Sequence, residues 1–217
     1  MKKRITIIDY GMGNLLSVKR AFEHFGAQTE LTGDPGSTSG ADYLILPGVG
    51  AFADGMDELR RRGLVDAFRA HAQSGRPSLS ICLGMQMLLA ESQEFGKHDG
   101  LGIIDGAVVE IPLTGADGTA HKVPHIGWSE LRLPDGADAD HWRGTILDGI
   151  VPGVSVYFVH SFTAAPSDPD SRLADADYNG RLVSAAVRHE NVFGTQFHPE
   201  KSGPVGLRII ENFLHLG

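Results

Sequence analysis

Short apolar runs that end in glycine-rich turns and alternate with helical stretches restrict what this chain can become. Residues 5–8 (Ile-Thr-Ile-Ile) lead to Gly11-Met12-Gly13-Asn14. Residues 43–46 (Tyr-Leu-Ile-Leu) lead to Pro47-Gly48-Val49-Gly50, and residues 78–81 (Ser-Leu-Ser-Ile) lead to Cys82-Leu83-Gly84. Between them Leu15, Val18, Phe22 and Phe25 recur at helical spacing, with Gly26 as a stop signal. Residues 56–62, 64–73 and 85–89 also read as helices. Unbroken apolar strands joined by helices belong to a parallel sheet covered on both faces. The second half changes character. Residues 108–111, 154–159, 173–178, 183–187 and 192–197 are strand-like with turns between them, and a closing helix is expected over 205–216. The predicted fold is α/β: a single doubly wound, mostly parallel sheet with helices on both faces and extra antiparallel strands in the second half. Residues 1–217 are expected to form one domain, with loops at 113–118, 134–140 and 164–170.

Composition narrows the function classes. With 217 residues, 41% apolar and 21% charged, the chain suits one soluble globular unit. Asp and Glu number 27 against 19 Lys and Arg, a net charge of −8, which argues against a duplex nucleic-acid binder with its required basic face. No apolar run approaches the ~18–20 residues of a membrane span. The basic start Met1-Lys2-Lys3-Arg4 is followed by an apolar stretch cut short at Asp9, too brief for a signal-peptide core. A single cysteine excludes an internal disulfide, so a cytoplasmic protein is expected. The ten histidines lack ligand-like spacing and no phosphate-binding loop is present, so neither metal nor cofactor is expected.

The cysteine itself has a chemical setting. Ser80-Ile81-Cys82-Leu83-Gly84 joins an apolar strand to an apolar helix, the context of a nucleophile elbow. A sharp turn there exposes sulfur at the carboxyl edge of the sheet, where open α/β folds bind ligands. The start of the following helix favours the thiolate, the reactive form. Gly84 supplies one small flank, while Ser80 stands where glycine is the commoner choice. The bland alternative is a small buried hydrophobe.

A base lies far along the chain, in Phe197-His198-Pro199-Glu200-Lys201. In extended chain, positions i and i+2 share a face, so His198 and Glu200 are expected side by side at a strand end. A carboxylate beside an imidazole fixes its tautomer and stabilises the imidazolium, as a thiol nucleophile requires. Alone, His198 is one of ten histidines; combined with Cys82 it is a more specific signal. The stretch Pro47-Gly48-Val49-Gly50-Ala51-Phe52 is able to turn N–H groups toward a developing oxyanion, with the Leu83 amide as a second donor. Its plain reading is an ordinary strand-to-helix turn.

With these residues in place the sequence resembles the class I glutamine amidotransferases. Five segments bring the resemblance closer, to the glutaminase subunits of imidazole glycerol phosphate synthases: residues 8–15 (Ile-Asp-Tyr-Gly-Met-Gly-Asn-Leu), 81–86 (Ile-Cys-Leu-Gly-Met-Gln), 122–128 (Lys-Val-Pro-His-Ile-Gly-Trp), 157–161 (Tyr-Phe-Val-His-Ser) and 194–202 (Gly-Thr-Gln-Phe-His-Pro-Glu-Lys-Ser). The sequence departs from the common pattern at Ser80 for glycine, Ser129 for asparagine and Phe162 for tyrosine.

The resemblance implies that Cys82 attacks the side-chain amide of L-glutamine, that His198 carries the proton and that Glu200 orients His198. It implies an oxyanion hole at Val49, Gly50 and Leu83, and glutamine contacts from Gly50, Gln86, Glu94, Ser161 and Phe162. Read without it, Gln86 and Glu94 are exposed helix polars and Phe162 is core. It further implies a heterodimer with a (β/α)₈-barrel cyclase subunit, which takes the ammonia and makes imidazole glycerol phosphate and aminoimidazole carboxamide ribotide for histidine synthesis. The chain has little spare length for acceptor chemistry of its own. Pro124, His125, Ile126, Gly127, Trp128 and Lys201 are the expected partner face, with Trp128 readable equally as a docking aromatic or as core. The loop over residues 47–52 is expected to keep its N–H groups misaligned until the partner binds acceptor. Other readings stay open at this level: an amidotransferase serving another acceptor such as an amino-sugar pathway, a stand-alone cysteine hydrolase, or a binding subunit without catalysis.

Overall fold

The structure, a computed structural model, describes residues 2–216. In chain order the elements are β1 (Arg4–Ile8), α1 (Leu15–Glu23), β2 (Gln28–Thr32), α2 (Pro35–Ser39), β3 (Tyr43–Gly48), α3 (Phe52–Arg61), α4 (Leu64–Gln73), β4 (Ser78–Cys82), α5 (Leu83–Met87), β5 (Leu89–Ser92), β6 (His98–Asp99), β7 (Ile104–Glu110), β8 (His125–Glu130), β9 (Ser155–His160), β10 (Phe162–Pro166), β11 (Arg172–Tyr178), β12 (Arg181–His189), β13 (Val192–Thr195) and α6 (Gly203–His215). Seven strands form the main sheet in the order β11-β12-β13-β4-β3-β1-β2. The run from β13 to β2 is parallel, and β11 and β12 add antiparallel pairs at one side. The fold is thus α/β with a mostly parallel sheet and antiparallel additions from the second half. The remaining strands form a four-stranded sheet, β10-β7-β5-β6, and a two-stranded one, β8-β9.

Alternation along the central strands explains why both faces are covered. Ile5, Ile7, Ile45, Leu79 and Ile81 pack with Phe22 of α1 and Phe213 of α6. Ile8, Leu44 and Leu46 point the other way, to Phe52 and Met56 of α3, Phe68 of α4 and Met85 of α5. Successive strand residues face opposite sides, so each strand is buried on both faces, with the small hydroxyl residues Thr6, Ser78 and Ser80 among the apolar ones. Two expectations change. The stretch 164–170 is not all loop, because β10 runs to Pro166 and pairs with β7. The helix after Cys82 stops at Met87 and gives way to β5, whose partners are β6 and β7.

The β4–α5 junction is a sharp elbow despite Ser80. Cys82 has φ 55° and ψ −109°, a conformation few side-chain-bearing residues adopt. Cys82 lies opposite Gly48 of β3 in the strand register. A β-carbon at Gly84 would collide with the Leu46 carbonyl, and one at Gly48 would collide with the Tyr10 hydroxyl and Leu83. Ser80 is tolerated because it sits in regular β4, paired with Leu46 and Gly194, before the backbone turns. Gly84→Ala is therefore expected to lower stability by about 1–3 kcal/mol, the usual cost of forcing atoms into a packed site. Urea unfolding measures this; unchanged stability would show that the turn accommodates a β-carbon.

Candidate active site

The elbow opens into a cavity of about 380 Å³ lined by Val49, Gly50, Cys82, Leu83, Gln86, Glu94, Phe95, Pro124, Val159, His160, Ser161, Phe162 and His198. That size suits a small polar metabolite. The cavity gathers two of the three expected catalytic residues, all three expected oxyanion residues and every expected glutamine contact. Glu200 stands behind His198. Gly50 has φ 106°, a left-handed region open to glycine, which gives the loop after β3 a turn that few other residues adopt.

The base and its orienter meet closely. His198 Nδ1 lies 2.9 Å from Glu200 Oε1, and both side chains are buried. They do not meet through a continued strand. β13 stops at Thr195, His198 is extended, and Pro199 opens a 3-10 turn that carries Glu200 round to the ring. The backbone holds His198 in place: its N–H donates to the Tyr157 carbonyl at 3.0 Å, and its carbonyl accepts from Ser202 Oγ at 2.7 Å. Nε2 has no hydrogen-bond partner among the described residues, and the ring and the Cys82 sulfur line the same cavity. Burial pulls the His198 pKa down, but the sulfur and Glu200 pull harder and raise it to about 9. At neutral pH the imidazolium is therefore the favoured form of His198, whose ring lines the cavity together with Cys82. With five residues, α5 offers little macrodipole, so a positive His198 ring is the larger electrostatic support for any negative charge that develops in the cavity.

Two of the expected glutamine contacts, Gln86 and Phe162, are already engaged with each other. Gln86 Nε2 donates to the Phe162 carbonyl and to Gln196 Oε1, both at 3.0 Å, and Gln196 Nε2 approaches Cys82 Sγ at 3.7 Å. Glu94 Oε2 accepts the Phe52 N–H at 2.6 Å, which tethers it to the first turn of α3. Gln86 is buried, so the plain reading of an exposed helix polar does not apply to it. Gln196, Phe95, Val159 and His160 were not anticipated. Gln196 precedes His198 by two positions, so period-two spacing was a usable signal for it. His160 owes its place to strand register, which local sequence does not show.

Strand β8 divides the expected partner face. Ile126 is 59% exposed and Trp128 57%, whereas His125, just before Ile126, is 1% exposed. Successive strand residues face opposite ways, so His125 is removed from the docking surface and Trp128 is not core. Lys201 and Pro124 are exposed, Gly127 is half-buried, and Pro124 also lines the cavity.

The family model for glutamine amidotransferase class-I matches residues 6–216. The chain belongs to the class I glutamine amidotransferases. This family of enzymes includes relatives at high identity. The chain is 53% identical over 212 residues to imidazole glycerol phosphate synthase subunit HisH 1 of Legionella pneumophila (strain Lens), covering 98% of this chain and 99% of that one. It is 50% identical over 210 residues to subunit HisH of Syntrophotalea carbinolica, covering 96% and 98%. Among solved structures it resembles PurLQS from Thermotoga maritima with a TM-score of 0.72 at 20% identity, over 99% of both chains. A second structure, described as a glutamine amidotransferase, superposes with a TM-score of 0.70 at 18% identity over 97% of both. These two likenesses concern the fold. Among the described residues of this amidotransferase, no helix is long and apolar enough to cross a membrane.

The electrostatics of the pair yield a test. Removing the sulfur leaves burial pulling the imidazole down against Glu200 alone. Cys82→Ala is expected to lower the His198 pKa from about 9, read by NMR titration of the ring protons. An unchanged or higher value would mean that the sulfur and ring do not share a proton.

Proposed function

We propose that this chain is the glutaminase subunit of an imidazole glycerol phosphate synthase, with residues 1–217 acting as one amidotransferase domain. The carrying observation is the meeting, in one cavity, of Cys82 on a strained elbow and a buried His198–Glu200 pair. The names of relatives that match nearly end to end support the acceptor pathway.

In the proposed reaction the Cys82 sulfur adds to the side-chain amide carbon of L-glutamine. Backbone N–H groups of Val49, Gly50 and Leu83 hold the oxygen as it becomes negative. The C–N bond breaks as the His198 imidazolium gives its proton to the departing nitrogen, releasing ammonia and leaving a glutamyl thioester. His198, now neutral, takes a proton from water. The hydroxyl adds to the thioester, the C–S bond breaks and glutamate leaves. Glu200 keeps the imidazole oriented throughout. Gly50, Gln86, Glu94, Ser161 and Phe162 hold the substrate.

Ammonia then passes to a cyclase partner, which we take to be a (β/α)₈ barrel in a cytoplasmic heterodimer. It makes imidazole glycerol phosphate and aminoimidazole carboxamide ribotide, the first serving histidine synthesis. The exposed Ile126 and Trp128, with Pro124, Gly127 and Lys201, form the proposed contact face. Docking there aligns the Val49 and Gly50 N–H groups, so that glutamine is spent only when an acceptor waits.

Cys82→Ser is expected to abolish glutaminase activity while the partner still forms product from added ammonia; loss of both activities would assign Cys82 a structural role instead. His198→Asn should slow thioester formation by roughly 10⁴-fold, followed as glutamate release, and a near-normal rate would remove His198 from the chemistry.

A further inference from the structure

Two buried histidines outside the proposed triad join the exposed strand to the glutamine cavity. His125 of β8 and His160 of β9 are direct cross-strand partners, and His125 Nδ1 lies 3.1 Å from His160 Nε2. His125 Nε2 lies 2.9 Å from Ser129 Oγ, and His160 Nδ1 lies 2.8 Å from the Phe162 carbonyl. A carbonyl only accepts, so His160 Nδ1 carries the proton. Burial holds both rings neutral: the pKa of His160 is lowered to about 3 and that of His125 to about 4. Neutral His160 therefore accepts at Nε2, His125 donates from Nδ1 and accepts at Nε2, and the Ser129 hydroxyl donates. All three hydrogen bonds run the same way, from Ser129 toward the cavity.

The chain ends on an atom that the site depends on. The Phe162 carbonyl also accepts from Gln86 Nε2, whose other proton goes to Gln196, which in turn approaches Cys82. At the opposite end, Ser129 and His125 face inward from the strand that presents Ile126 and Trp128 outward. His125 is further fixed by stacking on Tyr178, with centroids 4.0 Å apart, and on Phe158 at 4.9 Å.

We propose that Ser129, His125 and His160 are positioning residues: their one-directional hydrogen-bond chain lets β8, when a partner bears on its outer face, set the Phe162 carbonyl and the Gln86 side chain in the glutamine cavity. The proposal rests on the reading of this site as a partner-dependent glutaminase. Ser129 touches neither Cys82 nor His198, so its effect travels through the two rings. Serine suits this position because a hydroxyl both fits beside the ring and donates to it.

The test uses the full chain with its barrel cyclase and acceptor substrate. Long-range ¹⁵N–¹H NMR on histidine-labelled protein should find His125 and His160 each protonated at Nδ1; an Nε2-protonated His160 overturns the chain. In Ser129→Ala the partner-stimulated glutaminase rate should fall about three- to tenfold, the worth of one hydrogen bond. The unstimulated kcat should stay within about twofold of the parent, with the fold confirmed by thermal unfolding. Ser129→Thr, which restores a hydroxyl, should recover the stimulated rate. Equal stimulation of the alanine variant and the parent, or no recovery with threonine, overturns the proposal while leaving the glutaminase reading intact. A parent chain that the cyclase does not stimulate overturns that reading and the proposal with it, and this defect shows before any substitution is made.

Discussion

A single backbone torsion governs the site: Cys82 at positive φ, between a strand that must stay regular and a helix that must start at once. Such a conformation costs about 1–3 kcal/mol in a residue with a side chain and persists only where its surroundings over-determine it. Here the surroundings are a backbone carbonyl on one side and packed side chains on the other. Gly84 lies against the Leu46 carbonyl and Gly48 against Tyr10 and Leu83, so neither β3 nor α5 has room to relax away. The imidazole is fastened independently. His198 N–H reaches the Tyr157 carbonyl, and Ser202 Oγ bridges the His198 carbonyl and the Tyr157 N–H. Sulfur is thus fixed by the parallel sheet, and its base by the junction of β9 with the turn before α6. The cavity forms where these two fastenings meet.

Burial alone does not decide what a histidine does in this molecule. His71, His125, His160 and His198 are all buried. His71 faces the Pro77 carbonyl, His125 and His160 face neutral groups, and desolvation pulls all three below their ordinary value, to between about 3 and 4. His198 is desolvated too, yet Glu200 and the sulfur reverse the sign. The nearness of negative charge separates a ring that carries a proton through a reaction from rings that hold a fixed tautomer.

Legibility in the sequence followed burial and local geometry. β1, β3 and β4 stood out because both of their faces are covered, leaving short runs of buried apolar and small hydroxyl residues. β2 did not, because it edges the sheet and leaves Gln28, Glu30 and Leu31 exposed. β5, β6, β8 and β10 are short or half-polar, and their pairing is set by distant partners. Cys82 was legible because turn chemistry is a local fact, and His198 and Glu200 were legible as neighbours, although a 3-10 turn and not an extended strand brings them together. The Gln86–Gln196 contact was not, since it joins residues 110 positions apart. His125 was placed on the partner face because its neighbours belong there, and strand alternation turns it inward.

The smallest sheet is the part best suited to respond to something outside. Two strands alone are marginal in water, so β8 and β9 depend on what they lean against. β9 is tied to the triad turn through Tyr157 and packs Phe158 against Phe197. Among the described residues β8 pairs with β9 alone, and its inner side packs on β11 through the stack of His125 on Tyr178. A force on Ile126 or Trp128 therefore meets a ribbon with one firm edge and one yielding edge. Because the β9 edge carries His160 into the cavity and holds the backbone of His198, the proposed effect of a partner on β8 has a direct route through β9 to the cavity wall.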